Sequence, residues 1–427
     1  NPATVVIENP RITNGARQVA SVSSAIRRVS QVELRGFLLD RLGLRGPLWH
    51  QAEAAGRARD LGMWQIDSIR VTGLRNHELA WVARAEGPAT GFYDLLYKQS
   101  AFRETHYPLF AVRQDWLPLL LTGFSDFRPR HKTGRRRYLP LMQKIKDHIR
   151  AKGPVTVADF ESRRVVGGFN TIKSTTKALD YLFYDREIQI VGRTPNFHRV
   201  FDLTERCDPH LHVWSPPAKE AYERFLIHSA LSVLKIDTAD RIASRVALHY
   251  GSWRGESIKR WRALVSEKLP EVARPVTVTD LPDNPVFWYL PEDETGWDLA
   301  ATAEEHLLRV VPPLDQLLFS RGRFSQLFGF DYKFEAYTPA DQRRFYFAKP
   351  LVFGSEVVGL VDAKLDRSGK NATWQITGLD LMRPLPPDAL RLGLQRVARL
   401  AGADHIKVLA KAPRTVKSAL NGPIIEG

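Results

Sequence analysis

Apolar and polar positions along the chain follow two rhythms, and the places where one gives way to the other mark the predicted elements. "VELRGFLLDRLGL" carries a helical pattern closed by Gly43, and "PLWHQAEAAGRARDLG" a second one ending at Gly62. "WQIDSIRV" then reads as a short extended stretch. Asn76 is placed to cap the helix "HELAWVARAEG", which stops at Gly87. "GFYDLLYKQSAFRETHYPLF" is apolar enough to pack on these helices.

The next unit has sharper edges. "LPLMQKIKDHIRAKG" is a helix ending at Gly153, and Thr156 caps "TVADFESRR" with Asp159 three residues on, close to a capping box. Ser174 caps "TTKALDYLFYD", whose Leu179, Leu182 and Phe183 line one stripe. "EIQIVG" and "FHRVFDL" alternate around the turn "RTPN" as two strands. Three helices and a hairpin make a winged-helix arrangement, with Arg193, His198 and Arg199 on the wing.

That order recurs. "AKEAYERFLIHSALSVL", "TADRIASRVALHYG" and "SIKRWRALVSEKLP" read as helices, and "RPVTVTDL" and "PVFWYLP" as a hairpin around "PDN". From about residue 301 three alternating stretches, "RRFYFAKPLVFG", "VVGLVDAKLDR" and "ATWQITGLDLM", form a β-rich meander. "PPDALRLGLQRVARLAG" ends it as a proline-started, glycine-ended helix. The predicted fold is mainly α with β, built of tandem winged-helix domains and a C-terminal β-rich, barrel-like domain. Its parts are an arm over 1–29, winged-helix units over 30–138, 139–210 and 211–300, and the β-rich domain with its terminal helix over 301–427.

Composition narrows the function. At 427 residues the chain exceeds one ordinary core. The longest apolar runs, such as "WLPLLLTGF", fall short of the roughly 20 residues a bilayer span needs. No basic start followed by an apolar block opens the sequence, and Cys207 is the only cysteine, so a reducing cytoplasm is the expected compartment. Lys plus Arg number 62 against 47 Asp plus Glu, a net charge of +15, which points to nucleic acid. "RPRHKTGRRRY" at Arg128–Tyr138 reads as a basic loop that offers Arg135, Arg136 and Arg137, although a lone basic run is more often a solvated linker.

Candidate chemistry centres on "GMWQIDS". In an extended segment Gln65 and Asp67 share one side while Ile66 anchors the other. Spacing alone favours an edge strand with two solvated polar groups. No dense Asp/Glu/His cluster has metal-ligand spacing, and His210 and His212 in "DPHLHVW" are read as structural. No GxxxxGK[ST] loop is present either, so neither metal nor cofactor is expected.

Three stretches together resemble one family. Gln65-Ile66-Asp67, "RTPNFHRVFDL" at Arg193–Leu203 and "PPLDQLLFSRGRFSQLFGFDYKFEAYTPADQRRFYF" at Pro312–Phe347 are similar to the YcaQ/AlkZ-type bacterial DNA glycosylases, built from tandem winged helices. "VVGLVDAKLDR" following the third stretch is also typical, and the likeness runs from about residue 30 to 400. The resemblance implies a glutamine–aliphatic–Asp or –Gln motif in an active-site channel, here in the Asp form, as in the YcaQ branch. Arg75-Asn76-His77 stands where the family has Arg-Ser-His, and Arg70 where Asn is usual. Glu104 is retained, but the residues after it in "FRETHYPLFAV" depart from the family's Glu-Tyr-Trp-Ala-His-Glu-Ala, which bears on substrate range.

The implied reaction is hydrolysis of the N-glycosidic bond of N7-alkylated purines, leaving an abasic site, with interstrand crosslinks as further substrates. Asp67 would stabilise the developing positive charge and orient water, and Gln65 would hold that water or the sugar. Ser68, Arg70, Arg75, His77, Glu104, Arg135, Arg136, Arg137, Arg193, His198 and Arg199 are candidate DNA contacts or supports behind them. The expected partner is double-stranded DNA with alkylated or crosslinked bases, met by a monomer at the nucleoid. A winged-helix transcriptional regulator without catalysis is the alternative, with the β-rich C-terminus sensing a ligand. No heptad seam for dimerisation accompanies it.

Overall fold

A computed structural model describes residues 26–105, 109–124, 132–161, 164–166, 171–212, 217–248, 257–298 and 307–424. Strand β1 (Arg27–Val29) leads to Ser30, whose hydroxyl accepts the Glu33 N–H while the Glu33 carboxylate accepts the Ser30 N–H at 2.7 Å. This reciprocal cap starts α1 (Gln31–Arg41), whose Leu34, Phe37 and Leu38 are fully buried at helical spacing.

Helix α2 (Gln51–Asp60) ends at a turn that only Gly62 allows. Its φ is +75°, and a Cβ there would lie 2.3 Å from the Trp116 ring. The chain enters β2 (Met63–Gln65), passes an irregular loop, and forms α3 (Asn76–Val82), β3 (Phe102–Glu104) and β4 (Phe110–Arg113). These strands make an antiparallel sheet in the order β2-β4-β3.

The cap of α3 is Arg75 rather than Asn76. Glu78 takes the Arg75 N–H at 2.7 Å, which frees the Asn76 side chain for a longer reach. That amide donates to the carbonyls of Gln65 and Leu314 and accepts the Leu314 N–H at 3.0 Å. It fastens the 312–318 segment to β2.

Helices Leu139–Lys152 and Ser174–Tyr184 and the antiparallel strands Ile188–Arg193 and Arg199–Leu203 share a separate small core. The Thr156–Asp159 capping box forms, but it opens only the single turn Val157–Asp159. Arg164–Val166, with two β-branched valines, pairs as a strand instead of continuing a helix. Further on, three helices (Lys219–Leu234, Ala239–Val246, Ile258–Val272) precede the hairpin of Arg274–Val278 and Val286–Tyr289. β1 joins this hairpin in parallel on one edge and Ile236–Asp237 on the other.

The C-terminal meander of Lys349–Phe353, Glu356–Asp366 and Thr373–Leu381 is the middle of a six-stranded sheet curled into a half-barrel. Helix Pro387–Leu400 does not end the chain, because Gly402 turns it at φ +80° into a strand, His405–Val408, parallel to Thr373–Leu381. Helices make up 46% and strands 21%, a mixed α/β architecture in which helix is the larger share. No helix among the described residues is long and apolar enough to cross a membrane.

The largest core cluster joins Phe37, Trp64, Ile66 and Trp81 to Leu317, Phe324, Val361 and Trp374. Through it runs a buried pair in which both terminal guanidinium nitrogens of Arg84 grip Asp315, at 2.8 and 2.9 Å, with each side chain 2% exposed or less. Arg84→Ala leaves the Asp315 charge buried alone and is expected to cost about 3–5 kcal/mol. Breaking the exposed Arg57–Glu53 pair should cost less than about 1 kcal/mol, and urea unfolding of both variants checks the contrast.

Candidate active site

The motif sits where β2 runs out. Gln65 is half-buried opposite Phe110, and Ile66, 1% exposed, extends the pairing by donating to the Leu109 carbonyl at 2.6 Å. Asp67 is 8% exposed, and its Oδ1 accepts the Ile69 N–H at 2.7 Å. That tight turn leaves Ser68 and Arg70 exposed, and the Arg70 side chain donates back to the Gly73 carbonyl. Gly73 (φ +87°) lets the loop close on Ala401, while Leu365 and Trp374 of the C-terminal sheet donate to the carbonyls of Val71 and Thr72.

Behind Asp67 lies a chain of polar groups with fixed directions. The Asp67 N–H donates to His77 Nδ1 at 3.4 Å, and His77 Nε2 meets the Tyr93 hydroxyl at 2.9 Å. That hydroxyl donates to Glu78, which also holds Arg75 at 2.9 Å. An acceptor at Nδ1 and a donor at Nε2 require the neutral imidazole. Burial pushes His77 down to about 3; Glu78 opposes the shift, and Arg75 and Arg193 reinforce it. Glu78 stays below its ordinary value because burial, which would raise it, is outweighed by the Arg75 N–H and the Tyr93 hydroxyl. Burial and the Glu78 carboxylate hold Tyr93 well above the usual phenol range.

The turn of the 188–203 hairpin plugs into this chain. Phe197, at φ +66°, stacks on His77 with centroids 5.5 Å apart, and the Arg75 and Arg193 guanidinium carbons lie 4.2 and 4.4 Å from its ring centre. Arg193 is paired with the buried Glu104, which also takes the Tyr97 hydroxyl. Arg75, His77, Glu104 and Arg193, separate in sequence, therefore meet in one buried assembly. Of the other wing residues, Arg199 pairs with Asp180 at 2.9 Å, and His198 is exposed at the turn.

The basic run is divided. Arg128–His131 lie outside the described residues, whereas 132–138 is helical and leads into helix Leu139–Lys152. Arg135 is held by Asp185 and Glu187, and Arg137 lies over the Tyr138 ring, with Arg136 and Arg137 both exposed. The side chains of His210 and His212 also lie outside the described residues. Among those described, no three His, Cys, Asp or Glu side chains gather as a metal site.

Tyr93, Glu78 and Phe197 were not singled out from the sequence. Glu78 carried a signal, standing three residues after the Arg75 cap, but Phe197 had none beyond its place in the family-like stretch "RTPNFHRVFDL".

The family model of AlkZ-like DNA glycosylases matches residues 58–404, which takes in the motif, the His77–Phe197 assembly and most of the C-terminal sheet. The chain belongs to this family. Membership implies an enzyme acting on DNA. Among solved structures, the DNA glycosylase AlkZ of Streptomyces sahachiroi aligns with a TM-score of 0.55 at 15% identity, over 90% of this chain and 100% of that one. At that identity the likeness is one of fold.

Because His77 is neutral when folded but takes up a proton near its ordinary value when unfolded, the unfolded chain binds the extra proton from about pH 6.5 down to about pH 3. Stability from this group is complete above that window and falls with acidification, by about 2 kcal/mol at pH 5. Urea midpoints of wild type and His77→Gln at pH 7 and pH 5 should show a shallower acid loss in the variant.

Proposed function

We propose that this member of the family is a monofunctional DNA glycosylase that hydrolyses the N-glycosidic bond of N7-alkylated purines, with Asp67 and Gln65 at the reacting centre. Alkylation at N7 makes the leaving base cationic, so no general acid has to protonate it. The remaining demand is a fixed negative charge beside the sugar carbon as it becomes oxocarbenium-like. The observation that carries this reading is how Asp67 is held. Its N–H is tied to His77 and one carboxylate oxygen to Ile69, which fixes the charge before substrate arrives.

Gln65, two residues earlier on the same extended segment, is suited to holding the attacking water, since an amide both donates and accepts. The three helices and hairpin of residues 219–289 are read as a winged helix and the net charge of +15 as the means of gripping duplex phosphates. Interstrand crosslinks, which cannot be flipped out like a single base, are included as substrates because Ser68 and Arg70 beside the motif face solvent.

Asp67→Asn keeps the side-chain shape and removes the charge. Single-turnover release of 7-methylguanine should fall by about 10² or more, with duplex binding retained. Gln65→Ala should slow release less, because a water can replace part of an amide's role. Full activity in Asp67→Asn refutes the assignment, and binding without excision by the wild type favours a regulator. If the end of the basic run meets DNA, replacing the exposed Arg136 and Arg137 with Ala should flatten the salt dependence of duplex binding by a slope of about 2.

A further inference from the structure

Leu109 stands directly across from the motif in a conformation leucine adopts at a cost. Its φ is +64°, in the left-handed region, and the residue is 46% exposed. Its carbonyl accepts the Ile66 N–H, so the pair continues the β2–β4 register one step beyond Gln65 and Phe110. In a regular antiparallel pair, opposed residues share a face. Leu109 would then lie with Ile66 in the core. The left-handed backbone breaks the alternation just there, and a large apolar residue is exposed across the strand pair from the residue that separates Gln65 and Asp67.

The next residue shows that the strand does not need this arrangement. Phe110 is 7% exposed and packs edge-on against Phe319, with centroids 6.0 Å apart. Strain together with apolar exposure at the residue opposite a reacting centre is what a substrate contact explains. The apolar surface that a nucleotide offers is the face of its base. Resting on the glycosylase reading above, we propose that Leu109 is a substrate-contacting residue whose side chain packs on the face of the damaged base held beside Gln65 and Asp67. Leu109 takes no part in the chemistry. It fixes where the base lies relative to the carboxylate.

Two variants separate this role from packing. Leu109→Asn keeps a similar size and suits positive φ but loses the apolar surface, whereas Leu109→Met keeps that surface. Three quantities are measured: melting temperature, single-turnover excision of 7-methylguanine, and affinity for a duplex carrying a 2′-fluoro 7-methylguanine nucleotide, which retains its base, relative to undamaged duplex. Leu109→Asn should melt at or above wild type and bind undamaged duplex as wild type does. It should lose about tenfold in both excision and lesion preference, the scale of burying half a leucine side chain. Leu109→Met should stay within about threefold of wild type.

Unchanged excision and lesion preference in Leu109→Asn overturn the contact, as does a lower melting temperature with both retained. If the wild type excises nothing yet its lesion preference vanishes in Leu109→Asn, the contact stands and the proposed reaction is wrong. If Asp67→Asn abolishes excision while Leu109→Asn matches wild type, the reaction stands and the contact is wrong.

Discussion

The buried grip of Arg84 on Asp315 holds the two halves of the chain in register. Besides that carboxylate, Arg84 donates to the carbonyls of Leu42, after α1, and Ala80, within α3. Asp315 in turn accepts the Leu317 N–H, and the adjoining Gln316 amide donates to the carbonyls of Leu61 and Met63 on either side of Gly62. One charge pair therefore sets the end of α1, the position of α3 and the entry into β2. A buried ion pair is costly unless its remaining donors and acceptors are met, and here neighbouring backbone meets most of them. The Gln65–Asp67 motif inherits its position from that satisfaction.

Around the motif the same logic operates on a finer scale. The neutral His77 joins the Asp67 backbone to Tyr93, Glu78 and Arg75, and Phe197 closes over it from the 188–203 hairpin. A network of this kind is rigid when every member has a partner and a liability when one is lost. Its rigidity also links two parts of the molecule, since the turn that carries Phe197 belongs to an element with its own small core.

Much of this architecture was legible from local chemistry. The helix over 31–41 follows from its apolar spacing, the 274–289 hairpin from alternation around "PDN", and the C-terminal meander from three alternating runs. Gln65 and Asp67 stood out because two polar groups flanked a residue due for burial. What stayed hidden depended on partners distant in sequence. Asn76 has the chemistry of a cap, yet its side chain is drawn to Leu314, and Arg75 takes the place. Arg193 reads as a wing cation from its place in the hairpin, whereas its partner Glu104 lies 89 residues back. A charge is visible in a sequence, but its counter-charge is not.

The first strand carries a consequence for how the protein comes into being. Val29 of β1 receives the N–H of Thr279, 250 residues later, and β1 can pair only after that hairpin exists. At ribosomal speeds of roughly 5–20 residues per second, the opening strand waits about 12–50 s for its neighbour. Contacts so distant along the chain also form late in folding. Until the hairpin of Arg274–Val278 and Val286–Tyr289 has emerged, the edge of the growing chain formed by β1 stays unpaired, a stretch for chaperones to guard.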